Sequence, residues 1–355
     1  SLTAGPYPDL NRGNADLYKA FCWRFWHQLA DQGVVGVVLP RSAVSARGSA
    51  SWREQVLDTG DFIEVTQLLN NRRWIFEDVH PQYTICLVSI RKTGKPDDEV
   101  AVRGPFSSHA DYKRGVQLPP TKFPTSELRS WTEGASFPLI PNPQALETFL
   151  RLRRSRNLAD VFEIRPIQGD FNATTGRKAG YFSVDMDAKP VGALPVLGGA
   201  SFDIWKPDTG VRKGWADPSI AIEELQRRRT SGSSKKSSAF YGFDDGWICD
   251  ESTLPARNYR IAFRGVTNRT NRRTVIASLV MPDVILENSA GYLLWTEADE
   301  HRTAFLLGTL CSTSLDWYAR RVVELSLNFF ILNQLPIPEP TPTDDRYLRT
   351  VEISG

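Results

Sequence analysis

Cysteine is scarce: the four present, Cys22, Cys86, Cys249 and Cys311, stand far apart. Their spacing argues against both a disulfide framework and a zinc knuckle, and a reducing, cytoplasmic setting is expected. Long apolar runs are missing as well. No stretch approaches the roughly 20 residues a membrane span requires, and no charged-then-apolar leader opens the chain. A soluble protein with no membrane partner is expected. Net charge is small, +2 over 355 residues, so composition alone does not point to nucleic acid, and the position of the charge carries the information instead. There is no internal repeat.

What is abundant is apolar and aromatic material: 41% hydrophobic residues and ten tryptophans, enough for two cores of ordinary domain size. The opening has an α/β rhythm. Leu17, Phe21, Phe25 and Leu29 recur every four residues, predicting a helix, and VVGVVLP (Val34 to Pro40) reads as a buried parallel strand. A short helix at Trp52 to Leu57 and strands at Phe62 to Leu68 and Thr84 to Ile90 continue the pattern. A boundary is expected near 103, so that 1–103 is one domain, 104–145 a Pro/Ser/Thr-rich connector on the surface, and 146–355 a mixed α+β domain with many loops. Within the last, Gln144 to Arg154 opens as an amphipathic helix and Thr230 to Ser238 (TSGSSKKSS) reads as a mobile loop. Ala304 to Val323 predicts one helix, and NFFILNQL a strand ended by PIPEPTP.

Charge is concentrated in RNYRIAFRGVTNRTNRRT (Arg257 to Thr274), with six arginines and no acid. The pattern predicts a hairpin: strand YRIAF, a turn with Asn268 and Asn271, and strand TVIASLV. Arginines there can pin phosphates, and Arg or Asn can read guanine or adenine edges in a major groove. Arg260 and Arg264, on alternate strand positions, can instead cover apolar surface with their stems. Arg269, Arg272 and Arg273, with Asn271, lie in the turn and are the stronger candidates. Lys206, Arg212 and Lys213 flank a Trp205-bearing loop, and Lys235 and Lys236 fall in the flexible segment; each group can track a backbone or simply be solvated. Asp170, Asp203, Asp244, Asp245 and Asp250 lack the spacing of a nuclease metal site, and no metal is assigned.

Three stretches together resemble the back half of gamma-class N6-adenine DNA methyltransferases, especially single-chain type IIG restriction-modification enzymes. YPDLNRGNADLYKAFCWRFWHQLADQGVVGVVLPRSAV (Tyr7 to Val44) resembles the helix and strand after that family's catalytic loop. RRWIFEDVHPQYTICLVSIRK (Arg72 to Lys92) resembles its last strand pair. YRIAFRGVTNRTNRRTVIASLVMP (Tyr259 to Pro282), with FLLGTLCSTSLDWYARR and LPIP, resembles its target-recognition domain. The resemblance implies a partial Rossmann-like methyltransferase sheet followed by an α+β recognition domain that binds double-stranded DNA. It also implies base flipping, since an adenine amino group inside a duplex is out of reach. His80 and Pro81 stand where the family has an aromatic followed by proline, with Phe76 close by, and are the implied stacking residues.

The chain contains no Asn-Pro-Pro motif; Asn142-Pro143 is the nearest match and is rejected as catalytic. Nor does it show the glycine-rich turn with which such enzymes bind S-adenosylmethionine. In the family both precede the segment that begins here. The catalytic residues, the cofactor and the remainder of the methyltransferase domain are therefore expected outside this chain, which alone is expected to be inactive. Two alternatives stay open: a stand-alone DNA specificity subunit, and a carbohydrate- or protein-binding module suggested by the tryptophans and loops. The α/β opening weighs against the first and the clustered arginines against the second.

Overall fold

The computed structural model describes residues 7, 8, 10, 15–131, 134–185, 191–296 and 299–354. Residues 9 and 11–14 of the Tyr7 to Val44 stretch lie outside them. The chain divides into two compact units, Ser1–Arg154 and Ser155–Gly355.

The first unit runs α1 (Leu17–Gln28), β1 (Val34–Pro40), α2 (Ser42–Ser45), α3 (Ala50–Thr59), β2 (Asp61–Leu69), β3 (Thr84–Arg91) and β4 (Glu99–Phe106). It closes with α4 (His109–Gly115), β5 (Thr121–Pro124), α5 (Thr125–Trp131) and α6 (Pro143–Arg153). Its sheet has the order β1-β3-β2-β4-β5. β3 is antiparallel to both β1 and β2, and β2 is parallel to β4. The core is built on Trp52, Phe62 and Phe137, whose rings meet edge-on at centroid distances of 5.6 and 5.0 Å. Each such buried aromatic contributes about 1.5–3 kcal/mol.

Several expectations change here. β1 forms where predicted, but it is antiparallel to β3 and lies at the sheet edge, with Val34 and Val38 more than half exposed. A short apolar run records strand preference, not whether both faces are covered. The α1 helix likewise forms, yet it buries Cys22, Trp23 and Trp26 while Leu17 and Phe21 face solvent. The boundary near 103 falls inside β4, and part of the supposed connector is core: Phe123, Leu128, Phe137, Leu139 and Ile140 are buried. Asn142 caps α6 by accepting from the Ala145 amide at 2.8 Å, which is what makes the helix start at Pro143.

The second unit begins β6 (Arg156–Asn157), α7 (Leu158–Val161), β7 (Ile164–Ile167), α8 (Ala173–Lys178), β8 (Leu194–Leu197), β9 (Gly214–Ala216), α9 (Pro218–Ser233) and α10 (Asp245–Cys249). It continues β10 (Arg260–Arg264), β11 (Ala277–Val280), β12 (Ile285–Leu286), β13 (Ala290–Trp295), α11 (Glu300–Leu310), α12 (Thr313–Val322), α13 (Phe329–Asn333), β14 (Pro336–Ile337) and α14 (Asp345–Ser354). An antiparallel sheet β11-β10-β13-β7 stands beside the smaller sheets β12-β8-β9 and β14-β6. The chain is thus mixed α/β with several small sheets. Leu197, Phe202, Ala262, Ile276, Val280, Leu286 and Tyr292 form one core cluster, and Phe171, Val196, Ile222, Leu254 and Ile285 belong to another.

The single helix expected over 304–323 is two. Ser312 accepts from the Leu315 amide at 3.2 Å and starts α12 afresh. NFFILNQL is not a strand: Asn328 caps a helical turn through the Ile331 amide at 3.0 Å. Thr230 to Ser233, expected in a mobile loop, complete α9. Burial pushes the Cys22 thiol up to about 12, and of the four cysteines only Cys249 is exposed. No helix among the described residues is long and apolar enough to cross a membrane.

Candidate nucleic-acid interface

Two loops of the second unit meet at one cleft. The first is the turn 203–206, closed by reciprocal backbone bonds between Asp203 and Lys206, both 2.9 Å. It holds Trp205 in the left-handed region, φ 57°, with the residue 50% exposed.

The second loop, 265–276, joins β10 to β11, which pair as a hairpin with Arg260 opposite Val280 and Phe263 opposite Ala277. Asn268 Oδ1 accepts the Thr270 and Asn271 amides at 2.9 and 3.1 Å, an Asx turn. Beneath it the buried Thr267 hydroxyl donates to the Thr274 carbonyl at 2.8 Å. Helix α12 then clasps the loop. Asp316 Oδ1 accepts the Thr274 and Val275 amides at 2.6 and 3.0 Å. One turn on, Arg320 bonds Asp316 Oδ2 at 2.9 Å and donates to the carbonyls of Arg269, Asn271 and Arg272.

Asp203, Ile204 and Trp205 from one loop, and Arg264, Asn271, Arg272, Arg273 and Ile276 from the other and its strand, line a cleft of about 420 Å³. Three guanidiniums against one carboxylate make it electropositive, a setting suited to an anion carrying flat apolar groups.

The six arginines divide sharply. Arg260, expected at a DNA surface, is buried and ion-paired to Asp170 at 3.0 Å, so that assignment is corrected. Arg257 is shared between Glu251 and Asp283. Arg264 lines the cleft but also holds the carbonyls of Gly199 and Phe202, and burial lowers its pKa. Arg273 donates to the Ser312 carbonyl at 3.2 Å. Arg269 is half-buried. Arg272 is exposed, and its side chain makes no hydrogen bond or ion pair among the described residues. The Asn271 amide donates to Thr267 at 3.1 Å, so part of its capacity serves the loop.

Lys206 is exposed beside Trp205. Arg212 is occupied by Asp208, whose carboxyl it holds down to about 2. Lys213, Lys235 and Lys236 are exposed but do not line the cleft. Of the aspartates, Asp170 serves Arg260, while Asp244 and Asp250 cap short helical turns.

In the first unit, Phe76, His80 and Pro81 sit on the loop between β2 and β3. Asn70, fully buried, shapes it: its amide donates to the Phe76 and Val79 carbonyls at 3.0 and 2.9 Å, and its oxygen accepts from the Ile75 and Phe76 amides. Phe76 is thereby displayed at 43% exposure. His80 is exposed, edge-on to Tyr83 at 6.2 Å, and its Nδ1 accepts from the Gln82 amide.

Sequence reasoning missed Asp316 and Arg320, whose spacing of four looks like any helical ion pair. It noted Trp205 only as a neighbour of lysines; a large aromatic between Asp203 and the Lys-Pro-Asp turn was the available signal.

No protein-family model matches the sequence, and no curated protein matches it. Among solved structures, the type IIG restriction endonuclease BpuSI is similar over 99% of this chain and 45% of its own, with 14% identity and a TM-score of 0.36. The type IIL restriction-modification enzyme MmeI, in complex with DNA, is similar over 88% and 39%, with 11% identity and a TM-score of 0.44. The DrdV–DNA complex is similar over 99% and 39%, with 11% identity and a TM-score of 0.43. The chain spans less than half the length of each of these structures.

Proposed function

We propose that the second unit recognises double-stranded DNA within a site-specific adenine-N6 DNA methyltransferase of a restriction-modification system. The observation that carries this is the meeting of the Trp205 turn and the arginine loop at one electropositive cleft, with Arg272 and Lys206 exposed beside it. Phosphates are met by these cations, and the loop is rigid enough to present them in fixed register because its main chain is clasped by α12.

The first unit fits the closing part of a Rossmann-like methyltransferase sheet. β1 is an uncharged seven-residue edge strand with no partner on its far side among the described residues. Such an edge invites further strands, and the exposed Leu17 and Phe21 offer apolar surface. In this reading the remainder of the methyltransferase domain adds there. The glycine turn after β8 offers S-adenosylmethionine no cradle. Glycines do follow β8, yet a Cβ at Gly198 would meet Glu287 at 2.3 Å and one at Gly199 would meet Arg264 at 2.9 Å, so that turn is packed by its own chain. In this reading the cofactor and the catalytic loop belong to the added part.

Two measurements test these assignments. Duplex affinity is expected to fall with salt, and the slope of log affinity against log salt is expected to flatten by about 0.9 for each lost phosphate contact in Arg272→Ala and Lys206→Ala. Unchanged slopes in both variants remove the cleft from the interface. For the β2–β3 loop, 2-aminopurine at the target adenine of the complete enzyme is expected to change its emission in His80→Ala and Phe76→Ala, because a flipped base stacks on such rings. Identical emission in wild type and both variants excludes that role.

A further inference from the structure

We propose that Trp205 stacks on a nucleobase of the bound duplex, acting as an aromatic wedge at a base step; this rests on the cleft being a DNA interface. A bulky residue in the left-handed region is unusual and costs on the order of a kcal/mol. Here that conformation is held by the reciprocal Asp203–Lys206 bonds, and the exposed indole stands at the cleft. Among the described residues no ring or guanidinium covers the indole, although arginines stack on other aromatics of this unit, as Arg260 does on Tyr292 at 4.6 Å and Arg321 on Trp317 at 4.3 Å. An uncovered aromatic platform thus borders three guanidiniums in a cleft of about 420 Å³, within the roughly 300–1,000 Å³ range of ligand sites.

The chemistry selects the ligand. Flat π-faces that travel with phosphates are nucleobases, and aromatic or apolar side chains inserted beside a base step partly unstack it. Asp203, also in the cleft, disfavours a bare anion pressed against the turn and favours a neutral base there, with phosphates toward Arg272. Ile204 and Ile276 add apolar lining on which a base, and not a hydrated phosphate, can rest.

Stacking and phosphate contact leave different traces in one experiment. Binding of the whole chain to a mixed-sequence DNA duplex is measured across a salt series for wild type, Trp205→Ala, Trp205→Phe and Arg272→Ala. Trp205→Ala is expected to weaken binding about tenfold or more at every salt concentration with an unchanged slope, and Trp205→Phe to restore most of it. Arg272→Ala is expected to flatten the slope. Full-strength binding by Trp205→Ala, or a loss that appears as a changed slope, overturns the stacking role and leaves the DNA interface standing. A wild-type chain that binds no duplex overturns the interface itself, and the stacking with it.

Discussion

Asp170→Ala is expected to lower the stability of the second unit by about 3–5 kcal/mol, the range for breaking a buried ion pair from one side. The Asp170 and Arg260 side chains are only 2% and 3% exposed. Arg260 Nη1 reaches both carboxylate oxygens at 3.1 and 3.0 Å, while Nη2 donates to the Val284 carbonyl at 2.8 Å. The carboxylate also accepts the Leu286 amide at 2.8 Å, tying β10 to β12. Alanine leaves a guanidinium buried against Tyr292 with no counter-charge and orphans that amide. Asp170→Asn is expected to cost less, since its oxygen still accepts from Leu286. The double variant Asp170→Ala with Arg260→Met is expected to recover much of the loss, because the stranded charge is gone. Urea denaturation of the four proteins measures this; a loss under about 1 kcal/mol in Asp170→Ala contradicts the pair's structural role.

Arg53→Ala is expected to have a similar effect on the first unit, about 3–5 kcal/mol from lost volume and unpaired acceptors together. This guanidinium is completely buried, and burial pulls it down to about 10, which still leaves it protonated at neutral pH. Its partners are backbone carbonyls: Gly134 at 2.7 Å, Ala135 at 3.2 Å, Ala43 at 3.0 Å and Ala46 at 2.9 Å. One side chain thereby fastens the segment before α6 to the residues around α2. Arg53→Lys is expected to recover only part of the loss, since a single ammonium cannot span the fork. Hydrogen exchange locates the damage: faster exchange at Phe137, whose amide donates to the Val44 carbonyl at 2.8 Å, is the expected sign. Native-like protection there in Arg53→Ala contradicts the fastening role.

Element existence was largely legible in the sequence. The strands at 34–40, 62–68 and 84–90, the helix from 143 and the 260–280 hairpin follow from apolar period and turn residues. Burial was not. Nothing local tells VVGVVLP that it lies at an edge, because only tertiary pairing decides which strands flank it. At Ser312 and Asn328 the capping residues were present in the sequence, and apolar continuity outweighed them. The arginine segment shows the same limit in charge. Its composition announced a basic surface, but the acid that neutralises Arg260 is Asp170, 90 positions away. The cleft, too, joins Trp205 to Arg272 across 67 positions, a distance no motif spans.

The clasp from α12 has one further property. Asp316 and Arg320 hold the 265–276 loop entirely through amides and carbonyls of its main chain. At Arg272, exposed and without a side-chain bond among the described residues, the loop's shape is therefore indifferent to the side chain. That position can be exchanged without rebuilding the scaffold beneath it. A socket of this kind separates what the loop displays from what holds it in place.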